Sequence, residues 1–273
     1  MERTRTDGRV VAAGGGAGRL HGRGLSAKQR LHLAAFLILT IAVPLQAQSD
    51  FLFDHITEED FAKFSNIVAQ GIYATPVEPA SARGLLGFDI GIAVTAIPVD
   101  TSAGYWTNAV RDDFTVSNYL AVPKIVASKG LSVATVSASY AKVPDSDVSI
   151  IGGAIDVPII RGGIAVPSLT VRGAYSQLQG VENFEATTYG VEVFVAKGFG
   201  PVTPYAAVGR MRADTNATRF DHEPTLRNQL IHESDFNRFT AGVRISLMIP
   251  KIIVEATQAE ERSYAAKISF GLF

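Results

Sequence analysis

The stretch that decides the fold is Arg238-Phe-Thr-Ala-Gly-Val-Arg-Ile-Ser-Leu-Met-Ile249, in which bulky apolar residues alternate with polar or small ones. An extended chain would place Phe239, Ala241, Val243, Ile245, Leu247 and Ile249 on one face, and Arg238, Thr240, Gly242, Arg244, Ser246 and Met248 on the other. Alternation with a period of two is typical of a β-strand that has one apolar face. The segment is therefore predicted to be a long strand in an all-β domain.

The same alternation recurs from residue 84 to the end of the chain. It predicts ten strands, within a range of eight to twelve, at 86–97, 118–127, 130–142, 148–160, 168–177, 187–197, 202–213, 238–249, 251–260 and 264–272. Short connections between neighbouring strands favour an antiparallel, up-and-down order. We expect one continuous barrel over 84–273, because no composition shift divides this region.

The polar faces of these strands carry many charges. The residues predicted to line the interior of the barrel are Asp89, Asp156, Arg172, Glu192, Arg210, Arg212, Arg244, Glu255 and Lys267. So many charges inside a soluble core would each cost several kcal/mol unless they were paired. A wet or salt-bridged lumen tolerates them, so the pattern favours a barrel whose apolar face points outward into a membrane.

Strand length and loop length agree with that orientation. From Phe239 to Ile249 the chain would span about 33 Å at ~3.3 Å per residue, or roughly 23 Å when tilted by ~45°, close to the ~25 Å apolar band of outer-membrane barrels. The predicted connections at one end are short, whereas 98–117 and 214–235 at the other end are long. Short periplasmic turns and longer external loops are typical of this class.

The N-terminal region reads as an export signal followed by a helix. Lys28 and Arg30 precede the apolar stretch 33–43, Pro44 ends it, and a small-residue cleavage site follows at Ala47. This predicts a Sec signal peptide within 1–47. Thr57 and the acids after it form a helix N-cap, and apolar residues then recur at spacings of three and four. Residues 48–83 are therefore predicted to form a short amphipathic helix, at 57–71, and an extended linker.

Composition excludes several classes of protein. The chain has 273 residues, no Cys and a formal net charge of −1, and it becomes more acidic once 1–47 are removed. Absence of Cys rules out disulfides, Cys-based zinc sites and thiol nucleophiles. A mildly acidic mature chain gives no reason to expect nucleic-acid binding. No phosphate-binding loop, nucleophile elbow or cofactor motif is present, so no cofactor is predicted.

Together, the export signal, the barrel pattern and the final strand resemble a bacterial (Gram-negative) outer-membrane β-barrel protein, of the small type with a short N-terminal helix. The last strand runs from Tyr264 through Phe270 to a terminal Phe273. Such a strand resembles the signal read by the barrel-assembly machinery, although Gly271, Ser269 and Lys267 share the face of Phe273. The resemblance implies export to the cell outer membrane, outer-membrane lipids and the assembly machinery as partners, and no enzymatic activity.

Four functions stay open from the sequence. The leading one is a structural barrel or a narrow channel for small solutes, and the second is a surface protein that binds a ligand or partner through 98–117 and 214–235. A rim-active hydrolase is weaker: the acid-His residues of 214–235, which include His222 and His232, resemble those of omptin proteases but lack a second acidic pair. The fourth is a secreted, soluble barrel with a lipocalin-like pocket. His222 and His232 lack the helical or tight-turn spacing that would support a metal site.

Overall fold

A computed structural model describes residues 51–53, 55–110, 118–143, 147–218 and 229–272. The predicted signal peptide, residues 221–223 of the acid-His segment, and Phe273 lie outside the described residues. The elements are helices α1 (Glu58–Ile72) and α2 (Gly104–Thr107) and strands β1 (Phe88–Pro98), β2 (Tyr119–Gly130), β3 (Thr135–Lys142), β4 (Ser149–Ile160), β5 (Ser168–Gln179), β6 (Phe184–Ala196), β7 (Val202–Thr218), β8 (Gln229–Ser246), β9 (Pro250–Gln258) and β10 (Arg262–Leu272).

The ten strands form one closed antiparallel barrel in sequence order, and the ring is completed where β1 pairs with β10. This confirms the predicted all-β, up-and-down fold and the predicted number of strands. We call the end where β1 begins and β10 ends the inner end, and the opposite end the outer end. Tight turns at 131–134 and 247–249 lie at the inner end, and the described part of the connection between β1 and β2, residues 99–110 and 118, lies at the outer end.

The barrel is apolar outside and charged inside. On β8, Phe239 points outward and its side chain is 57% exposed, whereas Arg238 and Thr240 point inward and are buried. The same phase places Ile90 and Ile92 of β1 outside and Asp89 inside. Such an inverted distribution suits a cylinder that is surrounded by hydrocarbon and encloses polar groups. The fold is therefore a transmembrane β-barrel. None of the described helices is both long and apolar enough to cross a membrane.

Helix α1 forms as the sequence predicts. The side-chain oxygen of Thr57 accepts a hydrogen bond from the backbone N–H of Asp60 at 3.1 Å, which caps the first turn. Phe61, Phe64 and Ile67 lie on one face and are buried. The sequence does not reveal where this helix goes: α1 contacts β1, β2, β5, β6, β7 and β8, which surround it. The helix therefore lies within the ring of strands, near the outer end.

After α1 the chain runs through the lumen to the inner end and there enters β1. Tyr73, Val77 and Glu78 are all buried, and Glu78 contacts β2 and β10. We call residues 51–53 and 55–83 the plug. The backbone of Val77 has φ 52°, in the left-handed region that is strained for a β-branched residue. This turn, between Pro76 and Pro79, is where the plug presents Glu78 to the barrel wall.

Two strands differ from the prediction. β7 and β8 are 17 and 18 residues long and pair continuously up to Thr218 and Gln229. The segment 214–235, predicted as a polar loop, is thus mostly an extension of this hairpin, with 219–228 outside the described residues. The buried face of this extension carries mostly small or polar residues, such as Ala213, Thr215 and Ala217, so the sequence there lacks a clear apolar period.

Candidate functional site

The lumen is the candidate site, and six of the nine residues predicted to line it are buried there. Asp89, Asp156, Arg172, Glu192, Glu255 and Lys267 all point inward from the strands. Arg244 also points inward and is half-buried, with Nη2 3.4 Å from the hydroxyl of Thr203. Arg244 lies toward the inner end, because its neighbour Thr203 is near the start of β7.

Arg210 and Arg212 do not line the lumen, which corrects the expectation from the sequence. The inward phase of β7 holds Tyr205, Met211 and Ala213, so both arginines point outward. The Arg210 side chain is 70% exposed and lies 3.4 Å from Asp235, and Arg212 pairs with Asp214 and Glu233. Both arginines lie on the outer part of β7, beyond outward-facing Val208, where an exposed charge has little desolvation cost.

Glu78 of the plug is the centre of the inner half of the lumen. Its carboxylate accepts hydrogen bonds from Arg83, from Lys267 of β10 at 3.0 Å and from the Ser128 hydroxyl of β2 at 3.1 Å. Its backbone oxygen accepts a further hydrogen bond from Arg172 of β5 at 3.2 Å. One plug residue thus binds three strands at once. Since it is fully buried, each of these charge-assisted bonds acts in a low dielectric.

Asp89 continues this network toward the inner end. Its carboxylate contacts Lys251 of β9 at 2.8 Å, Lys267 at 3.2 Å and the Ser269 hydroxyl at 3.2 Å. Arg83 approaches it to 3.7 Å. Lys267 therefore bridges a carboxylate of the plug and a carboxylate of the wall. Across the described residues, six buried cations face five buried carboxylates, so the network is nearly neutral.

Two further ion pairs lie in the lumen beside this network. Arg172 binds Asp156 through two hydrogen bonds, at 2.7 and 2.8 Å, the bidentate geometry that a guanidinium favours. Arg238 lies 3.3 Å from Glu192, and its guanidinium carbon is 4.4 Å from the ring centroid of Tyr73 in the plug. The wall therefore holds the plug by cation–π contact as well as by charge.

The outer half of the lumen is closed by aromatic packing. The ring of Phe64 in α1 contacts the rings of Phe51, Phe53, Trp106 and Phe184, with centroid separations of 5.0 to 6.3 Å. Trp106 belongs to α2, so the described part of the 99–118 connection folds back onto the plug. Tyr105 of α2 is buried beside it. These rings form a hydrophobic layer above the ionic one.

Polar contacts tie the rim of the plug to the outer end of the wall. Asn66 Oδ1 is 2.9 Å from His232 Nε2 on β8, and Gln70 exchanges two 2.9 Å hydrogen bonds with the backbone of Glu261. The backbone N–H of Phe51 donates to Asn183 Oδ1 at 2.9 Å. His232 is thus in hydrogen-bond contact with a plug amide, and no acid is its hydrogen-bond partner among the described residues.

Small residues in the wall make room for the plug. A Cβ added to Gly152 of β4 would lie 2.5 Å from the Cβ of Ala74, and one added to Gly190 of β6 would lie 2.7 Å from the Tyr73 hydroxyl. Both glycines face inward and are in contact with the linker after α1. By contrast, a Cβ on Gly153, which faces outward, would meet only a backbone oxygen at 3.5 Å.

Sequence reasoning missed four charged residues of the lumen: Glu78, Arg83, Lys124 and Lys251. Glu78 was read as part of an extended linker. Two features of the sequence could have identified Glu78 as a lumen residue. It lies between two prolines in a linker that has few charges, and the strands that follow carry several inward cations. Within the described ranges, no group of three or more His, Asp or Glu side chains is arranged to hold a metal ion.

An apolar exterior, a closed ring of ten strands and a charged interior define a β-barrel of the outer-membrane type. No protein-family model matches the sequence, and no curated protein matches it. Among solved structures, it is similar to the N-terminal β-barrel domain of Pseudomonas aeruginosa OprF, with 10% identity over 69% of this chain and 99% of that one, at a TM-score of 0.32. Neisserial surface protein A matches at 9% identity over 67% and 96%, with a TM-score of 0.31. The β domain of the Bordetella autotransporter BrkA matches at 8% identity over 67% and 99%, with a TM-score of 0.34.

Proposed function

We propose that this protein is a non-enzymatic barrel of the bacterial outer membrane whose lumen is sealed by its own plug. The observation that carries the proposal is the path of the plug, which occupies the lumen from the aromatic layer at the outer end to Glu78 and Arg83 near the inner end. Of the two roles that the sequence favours, a structural scaffold therefore fits better than a narrow channel for small solutes.

Planar-bilayer conductance of the refolded chain tests the seal. We expect no stable current from the wild-type protein. Gly152→Val should produce current, because the added side chain collides with Ala74 and lifts the linker from the wall. Gly153→Val is the matched control, since the neighbouring glycine faces outward. A steady wild-type current of fixed amplitude would overturn the sealed state and favour the narrow channel.

The location is tested separately from the seal. The sequence around Ala47 supports export with removal of the first 47 residues, and the apolar exterior of the barrel supports insertion into a membrane. We expect N-terminal sequencing of the exported protein to begin at Gln48, and the protein to fractionate with the outer membrane and migrate differently in gels before and after heating. A chain that stays folded and monomeric in buffer without detergent would contradict this placement.

We propose that β10 is the assembly signal. Tyr264 and Phe270 point outward and each is 47% exposed, as a strand read by an external machinery requires, whereas Phe273 lies outside the described residues. Removal of Phe273 should lower the yield of assembled barrel in cells without changing refolding in detergent. Equal yields of the two forms in cells would contradict the assignment.

A second candidate function, binding of a partner at the outer end, is favoured by one observation on β8. The strand pairs with β9 only from Phe239 onward, so the backbone from Gln229 to Arg238 has a ladder partner only on the β7 side among the described residues. An open edge of this kind can accept an extended peptide as an additional strand. Ile231→Pro would remove a backbone donor there. It should weaken capture of such a peptide but leave heat-modifiable migration unchanged; unchanged capture would exclude this edge.

A further inference from the structure

A cavity of about 180 Å³ lies at the inner end of the barrel, between the plug and the wall. Residues 79–82 of the plug line one side, and the parts of β4 to β8 nearest the inner end line the other. The turn residues Arg161, Gly163 and Gly198 also line it and are exposed, so a solute can enter from the inner end. An engineered cavity of ~150 Å³ holds a molecule the size of benzene, so this one has room for a small ligand.

The wall side of the cavity offers hydroxyl groups. Thr170 of β5 lines the cavity and is 1% exposed, and its hydroxyl has no hydrogen-bond partner among the described residues. A buried polar group of this kind calls for a ligand or a water molecule as its partner. Thr203 of β7 accepts a hydrogen bond from Arg244 at 3.4 Å, so its own proton can be donated to a ligand. Both hydroxyls therefore suit an acceptor in the cavity.

The lining is also positively charged. Arg161 and Arg244 line the cavity, and Lys197 donates a hydrogen bond at 2.9 Å to the backbone oxygen of Gly163 at its rim. Among the described residues that line the cavity, none is acidic. The buried network beside it holds six cations and five carboxylates among the described residues, so Arg244 adds to an excess of positive charge. Such an excess attracts an anion.

We infer that this cavity binds the phosphate group of a small phosphate ester. A phosphate monoester presents three terminal oxygens to the donors of the wall, more than a carboxylate does, and guanidinium groups match both its charge and its shape. The carbon skeleton of the ester would lie against Pro79, Ala80 and Val166, which belong to the apolar part of the lining. Two sources carry this group, a soluble ester and the headgroup of phosphatidic acid. The inference does not depend on the electrical seal.

Calorimetric titration of the refolded protein in zwitterionic detergent micelles tests the site, with glycerol 3-phosphate as the probe. We expect saturable binding at a single site. Glycerate has a carboxylate and a similar carbon skeleton but no phosphate group. It should bind about tenfold more weakly, because it offers fewer acceptors to the arginine and threonine donors.

Two variants remove charge from the site. Arg161→Gln and Arg244→Gln should each lower the affinity for glycerol 3-phosphate by about tenfold, because each removes a charged hydrogen-bond donor. Arg161 is exposed on a turn, so the test survives if Arg244→Gln fails to fold. Arg262→Gln is the matched control, since Arg262 is also exposed but lies at the outer end, at the start of β10.

Thr170→Val separates a hydroxyl that binds a ligand from one that only supports the fold. The lost hydroxyl has no protein partner among the described residues, so the free energy of unfolding should not fall, whereas the affinity for glycerol 3-phosphate should. Thr240→Val is the control within the lumen. It breaks the 2.9 Å hydrogen bond between Thr240 and Thr257, so it should lower stability and leave the affinity unchanged.

Binding that is weakened in the three site variants and kept in Arg262→Gln and Thr240→Val supports the site. Folded wild-type protein that does not bind glycerol 3-phosphate overturns the inference. Equal affinity for glycerate, or unchanged affinity in all three site variants, overturns it as well.

Phosphatidic acid added to the micelles distinguishes the two sources, with phosphatidylglycerol as the control for negative charge. Loss of glycerol 3-phosphate binding with phosphatidic acid alone supports the site and identifies the lipid headgroup as its ligand. Binding that is equal with the two lipids supports the site and identifies a soluble ester.

Discussion

The two halves of the lumen are closed by different physical means. The outer half packs the rings of Phe64, Phe53 and Phe184 together, and a cavity beside them is lined by apolar residues and glycine. The inner half surrounds Glu78 with Arg83 and Lys267, and the plug contributes only Val77 and Ala80 to the apolar cluster described there. Aromatic rings can stay packed after small displacements of the plug, whereas a buried carboxylate is destabilised as soon as it loses one of its hydrogen-bond partners. We therefore expect the inner half to fix the position of the plug and the outer half to cover it.

The largest effect should come from the inner half. Glu78→Ala leaves Arg83 and Lys267 without the plug carboxylate, and removal of one partner of a buried pair typically costs about 3 to 5 kcal/mol. Denaturant unfolding in detergent, followed by heat-modifiable migration, measures the change in the free energy of unfolding.

Glu233→Ala is the control for this change. Glu233 pairs with Arg212 on the outside of the barrel, where the two side chains are 60% and 40% exposed, so its loss should cost less than about 1 kcal/mol. Similar losses for both variants would show that the inner network contributes nothing beyond a surface ion pair.

Phe64→Leu should have a smaller effect, in the outer half. The substitution keeps an apolar side chain but removes four ring pairs, and even at the lower end of ~0.5 to 1.5 kcal/mol for each pair a total loss of about 2 kcal/mol is expected. High salt should leave this loss unchanged, because no charge is involved. A loss that grows or shrinks strongly with ionic strength would mean that the outer half is not closed by packing.

Thr57→Ala should have a still smaller effect, and it tests whether the start of α1 opens independently of the inner half. It removes the hydrogen bond to the backbone N–H of Asp60, which typically costs about 1 kcal/mol. Amide hydrogen exchange should become faster in the first turn of α1 and stay unchanged around Glu78. Faster exchange throughout the plug would show that the two halves open as one unit.

The smallest effect is expected from pH at the outer connection. Hydrogen bonds from the hydroxyl and backbone N–H of Ser102 lower the pKa of Asp100 below its usual value. The contribution of this turn is therefore present above the pKa of the unfolded chain and is lost as pH falls through the lower pKa of the folded state. Chemical-shift titration of Asp100, with Asp100→Asn as the reference, measures it. A midpoint at or above the usual value would contradict this.

Much of the barrel could be predicted from the sequence, because alternation records which side of each strand meets hydrocarbon. The strand at 238–249 was predicted on the correct faces, although β8 ends at Ser246 and Met248 lies in the turn with a φ of 63°. Thr57 and the spacing of the phenylalanines likewise predicted α1. These signals are local, so they survive without knowledge of the tertiary fold.

The seal could not be predicted in the same way. Local patterns show that α1 is amphipathic, but its apolar face could equally pack in the periplasm, and only the closed ring reveals that it fills the lumen. Arg210 and Arg212 were assigned inward because charge alone was used to orient β7. The strand extends past the apolar band, so outward arginines cost little there. Near the outer end of β7, a charged residue can therefore point inward or outward, and its charge alone does not predict which.

The position of the plug before β1 constrains how the cylinder can form. The α1 helix and its bulky rings fill the outer half of a ring whose last seam joins β1 to β10. Passage of that helix through an already closed ring would require its aromatic side chains to cross the layer of salt bridges. We therefore expect the N-terminal segment to be in place before β1 pairs with β10, so that the strands of the barrel assemble around the plug.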